Sequence, residues 1–83
     1  MYLHICKNII IRTEEIIGIF DIEIIGKTKE YEQIYKKLKD EGNIEDVSNG
    51  QKKTFILTKK KGEYQGYVSN ISVGTLAIRA TDK

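Results

Sequence analysis

The sequence predicts a small α+β domain with a largely antiparallel sheet, one main helix and a short C-terminal helix. Three observations predict it. One segment, Lys29 to Glu41, carries a one-sided helical pattern. Short runs rich in β-branched and aromatic residues lie on both sides of it. The connections are short and do not alternate strand with helix, which excludes a repeated βαβ parallel sheet. Eighty-three residues make one domain, residues 1–83. A core this small gives limited stability, so self-association is a ready way to cover leftover apolar area.

Tyr2 to Cys6 and Ile9 to Arg12 read as strands joined by a Lys7-Asn8 turn, since Asn tolerates the left-handed backbone such turns use. Thr13-Glu14-Glu15 interrupts the apolar pattern. From Ile16 to Ile24 the apolar side chains alternate with Asp21 and Glu23. This reads as a strand with one buried face, with a short helix over Glu14 to Phe20 as the competing reading.

In the main helix, Tyr31, Ile34, Tyr35 and Leu38 recur at i, i+3, i+4 and i+7, and the rest is polar. Ile34 sits in the middle of that stripe, so Ile34→Asp is expected to unfold or dissociate the protein. Thr28 is placed as N-cap. Glu32 precedes Lys36 by four residues, worth about 0.3 kcal/mol. Gly42 follows as a C′ residue. Ile44 to Val47 reads as a short strand and Ser48-Asn49-Gly50 as a turn. Thr54 to Thr58 and Tyr64 to Val68 read as strands about a basic turn, Lys59 to Gly62. Ser72 caps a final helix with Val73, Leu76, Ala77 and Ala80 on one face.

Composition narrows the function classes. An unbroken apolar run such as Ile9-Ile10-Ile11 is far short of the ~20 residues of a membrane span, so no membrane association is expected. The first residues show no basic-then-apolar signal pattern. One cysteine, Cys6, excludes an internal disulfide framework. These features point to the cytoplasm. No phosphate-cradling, dinucleotide or zinc-protease motif occurs, and the carboxylates are scattered, so neither an enzyme nor a cofactor is expected.

The charge pattern is more telling. The net charge is only +2, yet Lys52, Lys53, Lys59, Lys60 and Lys61 fall between Gly50 and Gly62 with no carboxylate among them. A segregated basic patch on a β-rich module suits a polyanion. Lysine offers phosphate a point charge rather than the bidentate fork arginine offers guanine, so backbone contact and shape readout are expected. Turn lysines that merely solubilise are the plain alternative. Lys59, Lys60 and Lys61 suit the guarding of a sheet end against edge pairing, unless they share a side with Lys52 and Lys53. Arg12 can pair with Glu14 or Glu15, or contact phosphate. Arg79, in a last helical turn, reads as structural. His4 and Cys6 supply at most two metal ligands, short of the four a structural zinc needs. Tyr64 and Tyr67 face opposite sides of one strand, where packing is a commoner role than base stacking.

Two stretches resemble a known family. Met1-Tyr2-Leu3-His4-Ile5 followed by Ile16-Ile17-Gly18-Ile19-Phe20-Asp21 is the first. The second is Asn49-Gly50, Lys53-Thr54, then Tyr67-x-Ser69-x-Ile71-Ser72-x-x-Thr75-Leu76-x-x-Arg79-Ala80. Together they resemble the bacterial extracellular matrix regulators of RemA and RemB type, closer to RemB. The chain departs from that pattern at Cys6 (often glycine), at Asn70 (proline in RemB-like members) and at Gln51-Lys52-Lys53 (arginines in RemA-like members). The resemblance implies a DNA-binding transcriptional regulator of biofilm matrix genes. It also implies a ring-like homo-oligomer with a fold similar to the LytTR DNA-binding domain. It maps the family's arginine loop to Gln51 and Lys52, with Lys53 beside them, and a second DNA-facing arginine near Glu14.

The expected DNA-contacting set is therefore Gln51, Lys52 and Lys53, with Arg12 and Lys59, Lys60 and Lys61 as further candidates. Several weak lysine contacts on one oligomer would add through effective concentration. The alternative is a protein–protein adaptor that assembles with itself or with an arginine-bearing paralogue and binds DNA weakly alone.

Overall fold

A computed structural model describes residues 1–6 and 8–81. Strands β1 (Tyr2–Cys6) and β2 (Ile9–Arg12) form an antiparallel hairpin with Leu3 opposite Ile11 and a bulge between His4 and Cys6. Lys7, the first residue of the expected turn, lies outside the described residues. The interruption at Thr13–Glu15 is a single 3-10 turn, and β3 runs from Ile16 to Asp21. The strand expected to reach Ile24 stops three residues early. Asp21 ends it by accepting a hydrogen bond from the Glu23 N–H at 2.9 Å, which caps a short helix α1, Ile22–Ile25. A short acidic side chain favours this local bond over a ladder.

Helix α2 spans Lys29–Asp40, with the Thr28 hydroxyl accepting from the Tyr31 N–H at 3.2 Å. Strand β4 (Ile44–Asp46) follows, then β5 (Thr54–Lys60), β6 (Glu63–Ser69) and α3 (Val73–Thr81). Ser72 caps α3, its oxygen accepting from the Thr75 N–H at 3.3 Å. The basic turn is tighter than the sequence implies. Lys59 and Lys60 belong to β5, and only Lys61 and Gly62 turn the chain, with φ of 51° and 83°. Two successive positive φ values match the twist of a two-residue hairpin.

The main sheet has the order β3-β5-β6-β4, antiparallel except where β4 runs parallel to β6. Its two faces are covered differently, because neighbours along β5 point to opposite sides. Ile56 joins Leu3, Ile5, Ile11 and Leu76 in a core beneath the β1–β2 hairpin and α3. Phe55 joins Val68 and Leu38 in a second core beneath α2, with Tyr31 edge-on to Phe55 at 5.3 Å. The chain is thus an α+β stack of hairpin, sheet and helix.

The helix stripes are offset from their expected centres. Leu38 is buried, and Tyr31 and Tyr35 are half-buried, whereas Ile34 is 43% exposed. α2 seats its Tyr31-Tyr35-Leu38 side on the sheet, and Ile34 falls at the margin. In α3, Leu76 is buried and Ala77 exposed, so Ala77 is not part of the packed face.

Candidate nucleic-acid interface

The loop between β4 and β5 is tied down along its backbone. Asn49 and Gly50 adopt φ of 54° and 85°, a left-handed pair that suits these two residues. The Gln51 N–H donates to the Ser48 carbonyl at 3.0 Å, and the Lys53 N–H donates to the Ser69 carbonyl at 3.0 Å. The Lys53 carbonyl accepts from the Ile22 N–H, also at 3.0 Å. Ser48 is fully buried, and Asp46 accepts from its N–H at 2.9 Å and its hydroxyl at 2.6 Å. These bonds hold the Asp46 carboxyl below its ordinary range, the Ser48 hydroxyl contributing most. A fixed backbone therefore displays three exposed side chains, Gln51, Lys52 and Lys53.

The two lysines differ. Lys52 Nζ lies 4.0 Å from Asp46 Oδ2 and 5.9 Å from the centre of the Tyr35 ring. No ion pair or ring contact involves Lys53 among the described residues. Asp46 and Tyr35 do not stand out in the sequence as neighbours of the basic loop. The Asp46-x-Ser48 spacing does carry a turn signal of the type in which Asp bonds two residues on.

The basic stretch continuous in sequence is divided in space. β5 separates Lys53 from Lys60, and seven residues at about 3.3 Å each put them roughly 20 Å apart. Lys59 and Lys60 are exposed at the far end of the sheet, Lys59 over the Tyr64 ring at 5.0 Å and Lys60 opposite Glu63. These lysines and Lys61 therefore do not join Lys52 and Lys53 in one patch. Arg12 lies toward that far end too, since the turn after it leads to Ile16, opposite Thr58.

Arg12 is engaged locally. Its guanidinium donates to Glu14 at 2.9 Å, and Glu14 also accepts from Thr13 at 3.1 Å and from the N-terminal ammonium at 3.3 Å. Its own backbone N–H first, then Arg12, Thr13 and that ammonium, hold the Glu14 carboxyl at about 2, against an ordinary 4.5. A depressed folded-state value stabilises the fold above the ordinary value and ceases to as pH falls through the depressed one. Glu14→Gln is thus expected to melt below the parent near neutrality, with the gap closing between pH 4.5 and 2. Paired thermal melts across that window test this, and a gap independent of pH contradicts it.

The remaining candidates have structural surroundings. Arg79 donates to the His4 carbonyl at 3.3 Å, tying α3 to the hairpin. Tyr67 is half-buried against the hairpin core, and Tyr64 is exposed on the other face. Among the described residues, no three His, Cys, Asp or Glu side chains cluster as a metal site, and no helix is long and apolar enough to cross a membrane.

Beside α2, an open groove of about 880 Å³ runs along the sheet, lined by Ile17, Ile34, Leu38, Leu57 and Tyr64. Ile17, Ile34 and Tyr64 are 52%, 43% and 45% exposed. One helix covers only part of this face. Across the molecule, Tyr2 and Ile10 are exposed on the hairpin.

No curated protein shows significant similarity to the chain. Residues 2–80 match the model of the RemA-like family, described as extracellular matrix regulatory protein A-like. The match takes in the hairpin, the sheet, α2 and the basic loop, and the chain belongs to the RemA-like family.

Proposed function

We propose that this protein is a non-enzymatic DNA-binding regulator that contacts the phosphate backbone through the loop carrying Gln51, Lys52 and Lys53. The observation that carries the reading is the loop itself: a backbone fixed by Ser48, Ser69 and Ile22 carries two consecutive exposed lysines, Lys52 and Lys53. A backbone already fixed spares the cost of ordering the loop on binding. Membership of the RemA-like family agrees with this reading and with control of matrix genes as its setting. One loop gives a weak contact, so an oligomer presenting several supplies the needed affinity. Self-association draws support from apolar side chains exposed on opposite sides of the molecule, Ile17 and Ile34 on one, Tyr2 and Ile10 on the other. Two different patches favour head-to-tail contacts over a two-fold dimer.

A second reading, an adaptor that joins a DNA-binding paralogue, is favoured by two ion pairs. Glu14 engages Arg12 and Asp46 stands beside Lys52, which lowers the charge available to DNA.

Native mass spectrometry with and without a duplex of about 30 base pairs, long enough to span several helical turns, separates the readings. The regulator appears as an oligomer that takes up duplex at low salt and releases it as salt rises. An oligomer indifferent to duplex fits the adaptor instead. Ile34→Asp is expected to remain folded, because Ile34 is only half covered within one chain, and to shift the spectrum to smaller species. An unchanged assembly removes the groove from the self-contact.

A further inference from the structure

We infer that Asp46 sets how strongly the loop holds a polyanion, by competing with phosphate for the ammonium of Lys52. The inference rests on the proposed reading of the loop as a polyanion contact and adds a residue to it. Asp46 is itself fixed: one carboxylate oxygen takes both hydrogen bonds from Ser48, at 2.9 and 2.6 Å. The other oxygen is left facing Lys52 Nζ at 4.0 Å. The Lys52 side chain is 51% exposed and that of Asp46 38%, so the pair is reachable by solvent and by an incoming phosphate. The Tyr35 ring, 5.9 Å away, borders the same ammonium. Lys53, one residue on, has no such counter-charge among the described residues. Two adjacent lysines therefore differ in role, Lys53 as the open contact and Lys52 as a contact restrained by a carboxylate.

Asparagine keeps an oxygen for the Ser48 N–H and hydroxyl and removes the charge, so Asp46→Asn isolates the electrostatic effect. Heparin is the probe, because it reports any polyanion contact, and a DNA duplex is run beside it. Compared with Glu30→Gln, a change of equal charge on the exposed side of α2, Asp46→Asn is expected to elute from heparin at higher salt. On duplex it is expected to bind about two- to fivefold tighter, the range of an exposed ion pair. Either gain should vanish in a Lys52→Ala background, as a coupled pair requires. An elution equal to that of Glu30→Gln, or a gain that persists without Lys52, overturns the inference. Lys53→Ala and Lys52→Ala give an independent reading that leaves Asp46 intact. The first is expected to lower heparin retention more, and the reverse order contradicts the inference. A Lys52-dependent gain on heparin in a protein that ignores duplex keeps the role of Asp46 and removes DNA as the ligand.

Discussion

Ile56→Ala is expected to cost about 2–5 kcal/mol of folding stability, the range for truncating a fully buried aliphatic side chain. Ile56 is 0% exposed and sits where the hairpin, the main sheet and α3 meet. The loss has two parts, the transfer of the removed atoms and the cavity that rigid neighbours leave behind. The second part should be high, because β5 is held on both sides by β3 and β6 and cannot shift inward. A domain of this length has roughly 4–12 kcal/mol in total, so the variant should be largely unfolded under mild denaturant. Ile34→Ala removes the same side chain from a position 43% exposed and should cost less than about 1 kcal/mol in the separated chain. Urea titrations of the two variants, in conditions where the protein is monomeric, test the comparison. Equal costs would mean that the sheet does not bury Ile56 as described.

Lys52→Ala combined with Lys53→Ala is expected to abolish most duplex binding while leaving the thermal midpoint unchanged. Both side chains are exposed and neither packs in a core, so folding does not depend on them. On the proposed reading each lysine offers phosphate a point charge, and losing two should make the log–log salt slope less steep by about 1.8 for each bound protomer. The affinity loss should be similar on unrelated duplex sequences, since backbone contacts carry no base identity. In an oligomer the loss recurs at every bound protomer, so small single-site effects multiply. Anisotropy titrations with two unrelated duplexes measure this. Undiminished binding by the double variant would falsify the loop as the contact.

Much of the fold was legible in the sequence because local chemistry and tertiary packing agree there. The i, i+3, i+4, i+7 stripe gave α2, Thr28 and Ser72 marked their helix starts, and the apolar run between Thr54 and Thr58 marked the strand that became β5. The misplacements have local causes. Asp21 captured the Glu23 N–H and ended β3 early, a side-chain bond that period-two alternation does not register. Lys61 took a positive φ that lysine seldom adopts, so the turn closed over two residues and Lys59 and Lys60 stayed in the strand. Ile34 fitted the helical stripe, yet its burial depended on where the sheet margin lies, which only the strand order determines.

The candidate site was less legible, and for a geometric reason. Five lysines cluster in sequence, and whether Lys59, Lys60 and Lys61 share a side with Lys52 and Lys53 stays open at that level; a fully extended strand carries one group about 20 Å from the other. Proximity in sequence is a poor guide to proximity in space when a strand intervenes. The partners of Lys52 came from other elements, Asp46 from β4 and Tyr35 from α2. Arg12 and Glu14, by contrast, are two residues apart, and their pairing could be read directly.

On the proposed reading, the Gln51–Lys53 loop engages the DNA backbone. The most direct measurement is the affinity of the purified protein for a duplex of about 30 base pairs at salt concentrations between about 50 and 200 mM. Such engagement predicts a linear fall of log affinity with log salt, steeper than about −1.8, the value for two neutralised phosphates. Affinity that stays flat across the series, or binding undetectable even at the lowest salt, contradicts it.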